Sequence, residues 1–274
     1  MLEFVEARVI AEQLNRILSQ KVVKRVVAGS SPHKFAFFHD DKDKYDDLLK
    51  GKTVTAAEPN GGQIEMILED MRLVFGDGVS LRYHEKNDKI PSKHQLLVEF
   101  EDAGTLSASV QMYGCIWCFK AGKYDNPYYQ VAKEKPSPLS EEFDYHYFDE
   151  ILSAPGALKL SAKAILATEQ RIPGLGNGVL QDILYNAGIH PKRKVQTMVE
   201  EDKKRLFLSV KSTLKDMVNL GGRDTEKDLF GVSGGYRTKL SKNTVDKPCP
   251  VCKSLIRKEA YLGGSIYYCE GCQH

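Results

Sequence analysis

Four cysteines near the end of the chain restrict what it can fold into more than any other feature. Cys249-Pro-Val-Cys252 and Cys269-Glu-Gly-Cys272 are two Cys-x-x-Cys knuckles separated by 16 residues. That spacing lets four thiolates close a tetrahedral site on zinc, and it suits a reducing compartment better than a disulfide framework would. Between the knuckles, Lys253 to Tyr268 reads as a hairpin, with Gly263-Gly264 at its turn and Ile266, Tyr267 and Tyr268 on the return strand. Cys115 and Cys118 form a third Cys-x-x-Cys. Strand residues three apart face opposite sides, so these two are expected to be sheet residues and not a second metal site.

A second constrained stretch runs from Ile172 to Pro191. Pro173-Gly174-Leu175-Gly176-Asn177 is a turn whose glycines tolerate unusual backbone angles and expose amides at the start of the following helix. Exposed amides at a helix start can hold a phosphate. Val179, Leu180, Ile183, Leu184 and Ala187 then recur at helical spacing, and Gly188 followed by His190-Pro191 stops the helix. Taken alone, the same residues equally suit a buried helix after a tight turn.

At 274 residues, 42% apolar and 28% charged, the chain is long enough for two domains with cores. No apolar run approaches the ~20 residues of a membrane span, and Glu3 and Glu6 sit where a secretory signal would begin, so a cytoplasmic monomer is expected. The net charge of +2 conceals an asymmetry: from Lys159 onward there are 20 Lys+Arg against 12 Asp+Glu, and before it 19 against 25. A basic second half suits a polyanion gripped by one domain.

Residues 3 to 19 predict an amphipathic helix, with Val5, Val9, Ile10, Leu14, Ile17 and Leu18 on one face. Short strands follow at Lys21 to Ala28, Thr53 to Ala57, Ile64 to Leu68 and Arg72 to Phe75, with Asn60-Gly61-Gly62 and Gly76-Asp77-Gly78 as turns. His94 to Phe100 and Leu106 to Phe119 complete an antiparallel β domain with one N-terminal helix. Prolines 127, 136 and 138 place a linker near 128 to 140, and Ser140-Glu141-Glu142-Phe143 predicts a capped helix start. Helices continue to Asn219, the last from Glu200, and Phe230 to Leu240 predicts a mobile loop.

The glycine turn, Asn177, Ala187-Gly188-Ile189-His190-Pro191 and a four-cysteine finger ending Cys272-Gln273 occur in this order in one family. The chain resembles the formamidopyrimidine-DNA glycosylase / endonuclease VIII family, and the resemblance reaches the N-terminus. It implies a multidomain α+β fold: an N-terminal helix and antiparallel two-layered β-sandwich (1–130), a helix–two-turn–helix domain (141–230) and a zinc-finger hairpin (245–274). It further implies one structural Zn2+ and, as partner, double-stranded DNA containing a damaged base or abasic site. Such enzymes flip a damaged nucleotide out of the duplex in base excision repair.

In the family the amine of an N-terminal proline attacks the sugar and the adjacent glutamate handles protons. Here Met1-Leu2-Glu3-Phe4-Val5-Glu6 stands where the family has Met-Pro-Glu-Leu-Pro-Glu. Glu3 and Glu6 match, while Leu2 and Val5 replace the prolines. Leucine is too bulky for ordinary removal of the initiator, which makes Met1 the expected bearer of a primary amine. The resemblance therefore assigns Met1, Leu2, Glu3 and Glu6 to the catalytic end. It assigns Gln111, Met112 and Tyr113 to the wedge that fills the space of the flipped base. Asn177 and the amides near Gly176 and Gly178 fall to phosphate, with Lys159, Lys163, Lys192, Arg193 and Lys194 as nearby cations. A lysine of the family falls near Gly61-Gly62, and its finger arginine is Gly264. The expected activity is a DNA glycosylase with or without lyase action; the competing reading is a protein that binds abasic DNA without cutting it.

Overall fold

The computed structural model describes residues 2–274, so Met1, one of the expected catalytic residues, lies outside the described residues. The chain forms two compact units. One runs to Lys133 and takes back Glu226–Gly234; the other comprises Glu134–Thr225 and Gly235–His274.

The first unit begins with α1 (Phe4–Leu18), followed by β1 (Val23–Ala28), β2 (Ala36–Phe38), α2 (Tyr45–Leu49), β3 (Val54–Asn60), β4 (Gln63–Leu68), β5 (Met71–His84), β6 (Leu96–Phe100) and β7 (Thr105–Lys120). Val5, Val9, Ile10, Leu14 and Leu18 of α1 are all buried, and Ile10, Leu14 and Leu18 join the main apolar cluster of this unit, so the helix is covered on more than the one face expected. Burial of a side chain such as Leu14 contributes roughly 1.5–3 kcal/mol. Asn15 donates to and accepts from the backbone of Ala57, both at 2.7 Å, which pins α1 to β3.

The strands form one sheet in the order β1-β6-β7-β5-β4-β3, antiparallel throughout except that β2 adds in parallel beside β7. Strands β5 and β7 pair along most of their length; β6 joins one half of that ribbon and β4 the other. One apolar cluster contains Val98 and Leu106 from the first half together with Ile64, Met66 and Leu73 from the second. The long strands thus fold a continuous sheet into two layers over a shared core.

Gly76-Asp77-Gly78 is not the expected turn. It lies inside β5, and the pairing jumps there from Asp77↔Gly114 to Val79↔Val110. Three residues of β7, Gln111 to Tyr113, therefore oppose the single residue Gly78. Bulges of this kind push side chains out of the sheet. The two extra residues preserve the alternation, so no break in the hydrophobic pattern marks the place.

The expected linker also begins too early, because 127–134 is helical. Pro127 opens α3 (Pro127–Glu134), where a missing N–H costs nothing, and Asn126 accepts the N–H of Tyr128 at 2.9 Å. Buried Glu65 ties this helix to the sheet, accepting from Tyr129 Oη at 2.8 Å and pairing with Lys133 Nζ at 2.9 Å and Arg72 Nε at 3.1 Å. The next helix, α4 (Tyr145–Ser153), starts later than Ser140-Phe143 suggests. Asp144 is its cap, accepting from Tyr147 N at 2.8 Å.

The second unit continues with α5 (Ala162–Ala167), α6 (Asn177–Ala187) and α7 (Glu200–Asn219), and closes with the hairpin β8 (Ile256–Tyr261) and β9 (Gly264–Cys269). Ser161 caps α5. Gly188, at φ +69°, ends α6 in the left-handed conformation that favours glycine. Gln181 joins α6 to the hairpin: its Oε1 accepts from Tyr267 N at 2.9 Å and its Nε2 donates to Ser265 O at 3.2 Å.

The segment Phe230 to Leu240, expected to be a mobile loop, is held at its far end, and the residues just before it are anchored too. In the first unit, Leu229 is fully buried, its N–H donates to Gln13 Oε1 at 3.0 Å, and Gln13 Nε2 donates to Asp228 Oδ2 at 2.8 Å. In the second, buried Asp182 accepts from Lys239 N and Leu240 N, both at 2.8 Å. Among the described residues no helix is long and apolar enough to cross a membrane.

Candidate functional site

The four terminal cysteines converge. Their Sγ atoms all lie within 4.8 Å of one another, with Cys252–Cys269 at 3.3 Å and Cys249–Cys272 at 3.7 Å. Four sulfurs at ~2.3 Å from one tetrahedral ion stand about 3.8 Å apart, so this donor set fits a metal. Tyr185 Oη, from α6, lies 3.1 Å from Cys249 Sγ, which couples the cluster to that helix. Cys115 and Cys118 are buried in different clusters on opposite faces of β7, away from any ligand set.

At the other end of the hairpin from this cluster, the start of α6 meets the turn. Gly176 precedes the helix in an extended conformation and Asn177 is its first residue, exposed to solvent. A Cβ on Gly264 would stand 2.5 Å from Asn177 Nδ2 and 3.5 Å from Lys163 Nζ. Gly264 thus leaves room for the Asn177 amide. Lys163 is only 2% exposed, and its Nζ donates to Tyr261 O. Burial pulls its pKa down. An anion at this spot would offset that cost and would meet an amide donor, an ammonium and the amides of a helix start.

The other expected cations are placed unevenly. Lys159, Lys192 and Lys194 are exposed. Lys192 pairs with Glu259 and lies 5.4 Å above the Tyr261 ring. Arg193 is engaged within the unit, pairing with Asp202 and donating to Thr197 O at 3.1 Å. Its work is to hold the start of α7, where Asp202 also accepts from Val199 N.

In the first unit the bulge of β7 displays Gln111, Met112 and Tyr113. Met112 is 64% exposed and Tyr113 45% exposed, so neither belongs to the core. Gly78 makes room for them, because a Cβ there would sit 2.3 Å from Tyr113 O. Burial raises the Tyr113 phenol, with smaller contributions from the charges of Asp77 and Glu3.

Leu2, Glu3 and Glu6 are buried at the head of α1. The N–H of Leu2 donates to Asp77 O at 2.7 Å, which ties Leu2 to β5. Asp77 is not among the residues expected from sequence, because Gly-Asp-Gly resembles a turn. Its carboxylate accepts from Tyr128 Oη at 2.6 Å. Gln63, one residue beyond Gly62, is also buried here and donates to Tyr128 O at 3.3 Å. A buried carboxyl at the head of a helix can hold or hand on a proton.

Comparison with known proteins agrees with this arrangement. The formamidopyrimidine-DNA glycosylase H2TH domain matches residues 135–228. The formamidopyrimidine-DNA glycosylase of Shouchella clausii (strain KSM-K16) is 25% identical over 279 aligned positions, covering 100% of this chain and 99% of its own. That of Prochlorococcus marinus (strain MIT 9312) is 30% identical over 194 positions, covering 68% and 65%. Among solved structures, the Lactococcus lactis Fpg in complex with DNA containing an abasic site superposes with a TM-score of 0.85, at 21% identity over 99% of both chains. MutM (Fpg) from Thermus thermophilus gives 0.82 at 20% identity, over 99% of this chain and 98% of that one. With the glycine turn, the four-cysteine hairpin and the two carboxyls at the head of α1 in place, the chain belongs to the formamidopyrimidine-DNA glycosylase / endonuclease VIII family.

Proposed function

We propose that this protein is a DNA glycosylase of base excision repair that acts on duplex DNA carrying a damaged base or an abasic site. The observation that carries the reading is the full-length similarity to formamidopyrimidine-DNA glycosylases together with Glu3, retained and buried at the head of α1. Asn177, the amides of Gly176 and Gly178, and Lys163 hold the DNA backbone, with Lys159, Lys192 and Lys194 adding positive charge. Arg193 contributes by fixing α7. Gln111, Met112 and Tyr113 enter the space left by the flipped nucleotide, where an apolar or aromatic surface replaces lost stacking. Cys249, Cys252, Cys269 and Cys272 hold one structural Zn2+, which clamps the hairpin and takes no part in bond breaking. A bacterial cytoplasm or nucleoid is the setting this implies.

In the chemical step the terminal amine adds to C1′ of the sugar, the bond from C1′ to the base breaks, and the base departs with a proton. Glu3 and Glu6 hold and return protons at this centre. The amine is that of Met1 when the initiator is retained and that of Leu2 when it is removed. A primary α-amine with an ordinary pKa near ~8 is nucleophilic at neutral pH without a buried lysine. A second reading, binding without cutting, is favoured by one feature: Leu2 and Gly264 replace a proline and an arginine of the cleaving relatives.

Borohydride trapping on abasic duplex separates the two. The glycosylase reading with an amine nucleophile gives a covalent adduct that maps to the N-terminal peptide. Absence of both adduct and base release, with tight binding kept, establishes the second reading.

A further inference from the structure

The turn between β8 and β9 consists of two residues, Leu262 and Gly263, and both have positive φ, +47° and +71°. With Tyr261 paired to Gly264 across it, this is the two-residue type I′ turn, whose first position is served by Asn, Asp or Gly. Leucine is a poor choice there. Its Cβ crowds the backbone in the left-handed region, and its side chain makes none of the local hydrogen bonds that let Asn adopt that region. Packing does not explain the residue either: Leu262 is 53% exposed, and a Cβ on neighbouring Gly263 would meet nothing within 4 Å. An apolar side chain thus stands in solvent at a backbone position that disfavours it, a combination that marks a contact surface.

The residues on either side of the tip show what it faces. Tyr261 O accepts from the buried Lys163 Nζ, and the Tyr261 ring lies 5.8 Å from that ammonium and 5.4 Å from Lys192 Nζ. On the other side, a Cβ on Gly264 would stand 2.5 Å from Asn177 Nδ2. Leu262 therefore sits between the two contacts that tie the turn to the expected phosphate site. In a nucleic acid the apolar surface nearest a phosphate is the sugar that carries it.

We propose that Leu262 is a further DNA-binding residue, packing on the deoxyribose next to the phosphate held by Asn177 and Lys163. This rests on the duplex-DNA reading given above. The contact takes apolar surface of both partners out of water, so it adds affinity without charge and without reading the base sequence.

Leu262→Asn separates the turn from the contact. Asn is the residue this turn prefers, so the full-length variant melts at or above the parent temperature. The apolar contact is lost at the same time, and the Kd for an abasic-site duplex, read by fluorescence anisotropy, rises about five-fold, as expected for re-exposing part of a leucine. The slope of log Kd against log salt is unchanged, because no cation is removed. Leu262→Met keeps a flexible apolar side chain and binds as the parent does. Leu255, 47% exposed at the cysteine end of the same hairpin, controls for exposure alone, and Leu255→Asn binds as the parent does.

Parent-like binding by Leu262→Asn overturns the proposal. So does a melting temperature that falls in step with affinity, which makes the leucine part of the fold, and so does an equal loss in Leu255→Asn. Each of these leaves the duplex-DNA reading intact, whereas a parent protein that binds no duplex brings down that reading and the contact together.

Discussion

Replacing Gly264 by alanine tests the phosphate grip at one atom. The new Cβ would stand 2.5 Å from Asn177 Nδ2, and since real Cβ contacts are not closer than 3.0 Å, the amide must retreat by about 0.5 Å or more. Lys163 Nζ, at 3.5 Å, is already at ordinary contact distance and does not move. Asn177 is exposed, so it yields without disturbing the helix behind it. A hydrogen bond to a charged phosphate contributes about 1.5–3 kcal/mol, and its full loss corresponds to roughly 10- to 150-fold in Kd. Partial displacement sets the expectation for Gly264→Ala at the lower end, about tenfold. Fluorescence anisotropy on a duplex with an abasic analogue reads the change, with a thermal melt as control for folding. The slope of log Kd against log salt stays the same, because no cation is removed. Parent-like affinity in Gly264→Ala, with a large loss in Asn177→Ala, refutes the steric argument.

Lys163→Met removes one buried ammonium, and the salt slope is expected to fall by about 1 as affinity drops, measured by the same titration at several salt concentrations. Met112→Ala with Tyr113→Ala changes two exposed side chains, so stability should move by no more than ~0.5 kcal/mol while the preference for abasic over intact duplex declines. Asp77→Asn has a signed effect on stability. Burial raises the folded pKa of Asp77, so its favourable contribution is complete below the unfolded value of ~3.9 and is lost as pH rises through the folded pKa. At pH 7 the parent carries a half-buried carboxylate, and Asp77→Asn should melt higher; by pH 3 to 4 the difference should vanish.

How much of this is legible in the sequence varies with how local the cause is. The last long helix, Glu200–Asn219, and the cysteine hairpin follow from periodicity and spacing within their own segments. The bulge does not. Two inserted residues keep the period of two, and Gly76-Asp77-Gly78 carries the composition of a turn. The start of α4 is easily misplaced because Ser140 and Asp144 are both competent caps, and packing decides between them. The Phe230 to Leu240 segment looks mobile by its glycines and serines. What fixes it is a partner distant in sequence, Asp182 for Lys239 and Leu240, as Gln13 fixes Leu229 just before it, and no local pattern discloses either. Likewise Arg193 reads as a free cation until Asp202 is placed beside it. The wedge residues are ambiguous between core and surface by alternation alone, and the bulge resolves them as exposed.

The proposed function depends on a metal-clamped hairpin that holds α6 ready for damaged duplex. The direct measurement is binding of an abasic-site duplex and of the matching intact duplex, before and after a chelator strips the protein, with zinc counted by atomic absorption. The expected outcome is one zinc per chain, tighter binding of the abasic duplex, and loss of both on stripping. A folded protein without bound metal, or equal affinity for the two duplexes, contradicts it.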